Sequence, residues 1–197
     1  MESSKKIDKR IEKTIYNIKT ALAKLLETKK IDDITVVELT KQAGVNRKTF
    51  YLHYSEVRDV FRSIEDNCYD KLRKIVRSYN LQISNLEDFI YTIFNVFLSD
   101  DHVFYIMKNT PYSKCFIHML DKILVEEVSK KFASENIVMT NSLHYTLAYH
   151  VFGSSRLFYS WLRKDQNLNL KEFSRFLSAL VITGVKKIEN LKELKES

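Results

Sequence analysis

The sequence predicts an all-α fold of about nine helices, three of them in a small N-terminal body. Three observations lead there. The 197 residues include only three glycines and one proline, too few for a succession of tight hairpins. Apolar residues recur at steps of three and four over long stretches. Residues of the type that start and stop helices stand where those stretches begin and end.

An apolar fraction of 45%, with 12% aromatics, is enough for a proper core in a chain of this length. The net charge of +7 is uneven: residues 1–55 hold 12 basic and 7 acidic side chains, so most of the excess lies in the first quarter. Such a concentrated positive field favours a polyanionic partner, although an ordinary soluble surface has a similar composition. Cys68 and Cys115 stand far apart and fit neither a CxxC pair nor a Cys/His ligand spacing, as expected for a reducing compartment. The start, MESSKKIDKR, has no apolar core of a signal peptide, and the greasiest run, FIYTIFNVFL, spans 89–98, half the roughly 20 residues a membrane helix needs. A cytoplasmic protein without membrane contact is expected.

Ile7, Ile11, Ile15, Ile18, Leu22, Leu25 and Leu26 form one stripe and predict a first helix over 7–26. Thr35-Val36-Val37-Glu38 matches a capping box for a short second helix to about Gln42, which Gly44 stops by adopting positive φ. Asn46 then caps a third helix of about seven residues, completing a helix-turn-helix. Ser55 is positioned to cap a fourth helix, with Val57, Phe61, Ile64, Cys68, Leu72, Ile75 and Tyr79 as its stripe. Ser84 to Glu87 resembles a second capping box for a helix to about Leu98, and Asp100-Asp101 opens a short one. Pro111 interrupts the chain before a helix over 112–132, and two long helices follow over 140–163 and 170–194. The expected division is 1–55 and 56–197, with the boundary inside the fourth helix.

On a helical wheel through 47–53, Phe50 marks the inward side, with Lys48 and Leu52 nearly opposite and Arg47 and Tyr51 flanking them. In a major groove, Arg or Lys can reach guanine O6 and N7, and an apolar side chain can meet a thymine methyl. Thr49, Tyr51 and His53 are types that commonly hold phosphates. The plainer reading is a short helix with an ordinary solvated surface.

The stretch ITVVELTKQAGVNRKTFYLHYSEVRD, residues 34–59, resembles the DNA-binding signature of the TetR family of bacterial transcription regulators. The resemblance rests on Ile-Thr-Val, Ala43-Gly44-Val45, Thr49-Phe50-Tyr51 and Tyr54, and it departs at Lys48 and at Glu56-Val57-Arg58. It implies that Asn46, Arg47, Lys48, Thr49, Tyr51, Leu52 and His53 face DNA, with Thr35 joining them from the second helix. It also implies a C-terminal region that binds a ligand and dimerises through its last two helices.

Phe94, Phe97, Phe104, Met107 and Met119 are ordinary core types, and equally what an apolar effector cavity would need; His118 and His150 are candidates to orient a ligand there. Leu147, Val151, Gly153, Phe158, Leu177, Val181 and Gly184 form the candidate dimer surface, or else the core of a monomer. The histidines lack zinc spacing, and Gly153-Ser154-Ser155 lacks the second glycine of a nucleophile elbow, so no metal, cofactor or catalytic site is expected. The resulting expectation is a homodimeric regulator, most often a repressor, that leaves a pseudopalindromic double-stranded operator when a largely apolar small molecule binds. The alternative is a co-regulator of the same fold that binds a protein and has no inducer.

Overall fold

The structure, a computed structural model, describes the backbone of all residues except 1, 81, 135, 137, 165–167 and 194–197, and side chains from 9 to 185 apart from those positions and 83. Among the described residues there is no strand. The described residues form nine α-helices, in order: α1 Glu2–Leu25, α2 Val36–Ala43, α3 Arg47–Tyr51, α4 Val57–Ser78, α5 Leu86–Leu98, α6 Asp101–Asn109, α7 Ser113–Ser134, α8 Asn141–Arg163 and α9 Leu170–Glu193. The expected side chain of Ile7 lies outside the described ones. Contacts group the chain into two compact units, residues 1–68 with 100–116, and residues 69–99 with 117–197. The division falls inside α4, and α6 belongs to the first unit although α5 precedes it in the chain.

In the first unit, Ile18, Leu22 and Leu26 turn the inner stripe of α1 into the core beside Leu39 and Phe50, whereas Ile11 on the same stripe is 39% exposed. The α2 cap is only half of the expected box. Thr35 Oγ1 accepts from the Glu38 N–H at 3.2 Å, but the Glu38 carboxylate pairs with Lys29 at 2.5 Å instead of reaching back. Asp59 starts α4 in place of Ser55: its carboxylate accepts the N–H groups of Ser55 and Glu56, both at 3.1 Å. The first four N–H groups of a helix lack partners inside it, and a carboxylate at the third position satisfies two backbone donors at once. Asp100 caps α6 through the N–H groups of His102 and Val103, each at 3.2 Å. The imidazole of His102 lies 3.1 Å from Thr20 Oγ1 and edge-on to Tyr16, so α6 docks on α1.

The second unit packs α5 and α8 against α9. Phe94 and Phe158 stack at 4.1 Å, and Trp161 lies against Phe173 at 5.1 Å with its Nε1 donating to the Leu168 carbonyl. The expected box at 84–87 does not form: Asn85 accepts from the Gln82 N–H and donates to the Asn80 carbonyl, which leaves α5 to begin from a 3-10 turn. A complete capping box does form at 169–172, with Asn169 and Glu172 each accepting from the other's N–H. Glu127 is buried on α7 and receives Arg77 at 2.7 Å, Lys130 at 3.0 Å and Arg73 at 3.3 Å. The hydrogen bonds from Arg77 come first in holding its carboxyl down to about 2.

Candidate functional site

Gly44 ends α2 with φ 64° and ψ 34°, left-handed values that glycine adopts without strain. Its N–H returns to the Lys41 carbonyl, and the Val45 N–H reaches the Thr40 carbonyl at 3.0 Å, the paired bonds of a Schellman end. Two residues later the Asn46 side chain accepts from the Lys48 N–H at 2.8 Å and starts α3. The turn between the helices is therefore three residues long, and it fixes the direction in which α3 leaves.

Within α3, Phe50 is wholly buried and its ring meets Tyr51 and Tyr54 at 5.5 and 5.8 Å. The Tyr54 hydroxyl lies 3.4 Å from Ser63 Oγ on α4, and burial pushes that phenol up. With Phe50 as anchor, Arg47, Lys48, Tyr51 and Leu52 form one outward arc; Leu52 is 74% exposed and Tyr51 54%. Thr49 and His53 are half-buried beside the arc. Asn46 and Thr35 are exposed, but each commits its side-chain oxygen to a helix cap. The α-helix is five residues long, shorter than the seven expected, because Leu52 and His53 close it as a turn.

Some basic residues of this unit are paired within the chain. Arg58 pairs with Asp32, Arg62 with Asp59 and Lys29 with Glu38. Among the described residues, Lys41, Arg47 and Lys48 have no carboxylate within ion-pair distance. Arg47 and Lys48 thus stand on the exposed arc of α3 without an internal carboxylate, next to a phenol and a bare leucine. The arc offers donors and an apolar contact outward, over a base whose geometry is locked by Phe50.

The second unit holds a partly open cavity of about 420 Å³ between α5, α7, α8 and α9. Its walls include Phe89, Ile93 and Phe94 from α5, Leu124 and Val128 from α7, Leu147, His150, Val151 and Ser154 from α8, and Val181 and Val185 from α9. Of the seven residues expected around an effector, Phe94 and His150 line it. Phe97 is packed behind the wall against Phe158, and His118 faces solvent. Phe104 and Met107 sit on α6 in the first unit, and Met119 is half-buried on α7 away from the lining. The periodic stripe of a helix tells which residues turn inward, but not which side of an inward residue meets a void.

No family model and no curated protein matches the sequence. Solved structures do match. A TetR transcriptional regulator from Streptococcus agalactiae superposes with a TM-score of 0.57 at 18% identity, covering 90% of this chain and 98% of that one. NalD of Pseudomonas aeruginosa, the secondary repressor of the MexAB-OprM multidrug efflux pump, gives 0.59 at 16%, with 88% and 97% covered. FadR of Bacillus subtilis, solved in complex with stearoyl-CoA, gives 0.55 at 18%, with 86% and 98% covered. The chain has the TetR-family fold.

On this TetR-type scaffold the candidate dimer residues divide sharply. Phe158 and Leu177 are inside the second unit's own core, Leu147, Val151 and Val181 line the cavity, and Gly184 backs onto the His150 ring. These six are buried or half-buried, and only Gly153 is exposed. The outer face belongs to Tyr145, Tyr149, Phe152 and Arg156, spaced by four, three and four on α8, and to Phe176 and Leu180 on α9. Tyr149 is 74% exposed and Leu180 47%. The same helical periodicity in the sequence carries this outer face as well. Among the described residues no helix is long and apolar enough to cross a membrane, and no cluster of three metal-ligating types occurs. Ser155, in the Gly-Ser-Ser stretch, is buried in mid-helix with its hydroxyl directed at Asp121.

Proposed function

We propose that the chain is a homodimeric, TetR-type transcription regulator that binds double-stranded DNA through α3 and responds to a small molecule held between α5, α7, α8 and α9. The observation that carries the reading is the outward arc of Arg47, Lys48, Tyr51 and Leu52, where the cations lack internal partners and an apolar side chain is left bare. Functionally the chain divides into a DNA-binding head, residues 1–55, and an effector and dimerisation region, residues 56–197. Two-fold symmetry calls for a pseudopalindromic operator with half-sites about one turn, roughly 34–36 Å, apart. The unbroken α4 is the element through which a change around the ligand reaches the head. Repression relieved by the ligand fits the repressor NalD and the ligand-bound FadR among the similar structures.

The apolar cavity favours this reading over a co-regulator without an inducer, which has no use for a void of about 420 Å³. Selection of bound genomic fragments tests it. Recovery of a shared inverted repeat supports an operator-binding regulator, and recovery of random DNA alone overturns it.

A further inference from the structure

The last turns of α4 and α7 gather positive charge around a single carboxylate. A second, open cleft of about 460 Å³ runs between them, lined by Val76 and Arg77 of α4 and by Glu127, Lys130, Lys131 and Ser134 of α7. Oε1 of Glu127 accepts from Lys130 at 3.0 Å and from Arg73 and Arg77 at 3.3 Å each, while Oε2 accepts from Arg77 again at 2.7 Å. Lys131 is half-buried beside them and donates to the Tyr79 carbonyl. Among the described residues no other acidic side chain lies within ion-pair distance of these four cations, so four positive charges against one negative leave a local excess of three. The field is strong enough, first through the Arg77 hydrogen bonds, to hold the Glu127 carboxyl at about 2.

We propose that this cleft binds a chain of two or three phosphates, free or carried by a small molecule, through Arg77, Lys130 and Lys131. Glu127 is buried, whereas the side chains of Arg77 and Lys130 are more than half exposed, so an incoming anion meets their outer N–H groups before it meets the carboxylate. Glu127 thereby acts as the pin that holds mutually repelling cations together. Arg77 keeps Nη1 for a phosphate oxygen, and guanidinium and ammonium groups from two helices can grip successive phosphates. A single phosphate carries about two negative charges at most near neutral pH, and a chain of two or three carries about three or more, enough to balance the excess. No aromatic ring stands among the described lining residues to stack on a base. Recognition therefore falls on the phosphates and not on what bears them. The site shares no residue with the apolar cavity or with the α3 arc and depends on neither reading.

Equilibrium dialysis of the full-length protein against radiolabelled pyrophosphate, without divalent metal and in about 50 mM salt, tests the proposal. One saturable site per chain is expected, from which orthophosphate and sulfate displace the label at least about tenfold less well than pyrophosphate does. Lys131→Gln leaves every ion pair on Glu127 in place and should weaken binding about three- to tenfold, and Lys130→Gln combined with Lys131→Gln by about 30-fold or more, with thermal unfolding close to that of the unchanged protein. Arg47→Ala combined with Lys48→Ala should leave the affinity as it was, which separates this site from the α3 arc. ADP displacing the label as well as pyrophosphate upholds the site with a nucleotide as carrier; ADP failing to displace it upholds the site for the free ion. Absence of saturable binding, or equal competition by sulfate and orthophosphate, overturns the proposal and leaves an ordinary charged surface. Affinity retained in the Lys130 and Lys131 double variant overturns the location. Loss of DNA affinity in that variant, with no pyrophosphate bound by the unchanged protein, overturns the proposal in favour of a nucleic-acid backbone on these cations.

Discussion

The imidazole of His150 occupies the space that any side chain on Gly184 would take: a Cβ there would stand 2.6 Å from Cε1 and 2.9 Å from Nε2. Contacts that close force the ring or the helix to move. Gly184→Ala is therefore expected to destabilise by about 1–2 kcal/mol despite alanine's better helix propensity, because overpacking outweighs the propensity gain. Gly153, also in mid-helix, has nothing within 4 Å of the corresponding position. Gly153→Ala should accordingly raise stability by up to about 1 kcal/mol. Denaturant unfolding of the two variants checks the contrast, and a stabilised Gly184→Ala would show that the ring is not held as described.

Gly44 differs from both, since nothing crowds it and only its φ of 64° forbids a side chain. Gly44→Ala should cost about 1–2 kcal/mol and Gly44→Asn less, because asparagine tolerates the left-handed region better. Gly44→Val should be worst and should also weaken operator binding, as the same turn sets the exit of α3. Equal stability across the three variants would contradict this account of the turn.

Lys48 is exposed without a carboxylate partner, whereas Arg58 is paired with Asp32. Lys48→Ala is expected to cost about 1–3 kcal/mol on operator DNA and much less on random DNA, the mark of a lost base contact. Arg58→Ala should change both affinities little, since that charge is already answered within the chain. Fluorescence anisotropy on the two DNAs gives the comparison; equal losses for Lys48→Ala would reassign it to the phosphate backbone.

Glu127 predicts an acid limb to stability. Its folded pKa of about 2 lies below the ordinary 4.5, chiefly through the Arg77 hydrogen bonds, so the carboxylate stabilises the fold fully above about pH 4.5. That stabilisation is lost as pH falls from there through 2. Glu127→Gln should lose about 1–3 kcal/mol at pH 7, and the gap to the unchanged protein should close between pH 5 and about 2. A gap independent of pH would mean that packing, not charge, is what Glu127 provides.

Local sequence chemistry made the head legible. Thr35, Gly44 and Asn46 act within a few residues of themselves, and Phe50 among polar neighbours marks its own inward side. The caps failed where a rival partner was nearby: Lys29 draws Glu38 away, and Asp59 pre-empts Ser55. The second unit was legible as helices but not as a site, because a cavity is a property of four helices at once. Phe94 lines it while Phe97, one turn on, fills the core behind it. The same limit put the candidate dimer residues among side chains that the second unit largely covers itself, since α8 is apolar on two sides and the stripe alone does not say which one the chain covers.

That second side carries the last prediction. Leu180 and Phe176 are about half-exposed on α9, and Tyr145, Tyr149 and Phe152 continue the apolar surface on α8. A charge at Leu180 leaves the cavity and core untouched, so Leu180→Glu should cost the isolated chain no more than about 0.5 kcal/mol, as surface substitutions usually do. In a dimer joined through this face, the same carboxylate would be buried without a partner and would oppose association strongly. Leu180→Glu should sediment as a monomer with near-normal helix content and lose operator affinity by more than Lys48→Ala does, because a single head of this size makes too few contacts for tight specific binding. Val181→Glu would be the wrong probe: Val181 lines the cavity, so its charge would disturb ligand binding. A Leu180→Glu protein that remains dimeric with full affinity would move the interface off α8 and α9, leaving these exposed aromatic side chains to be explained by another partner.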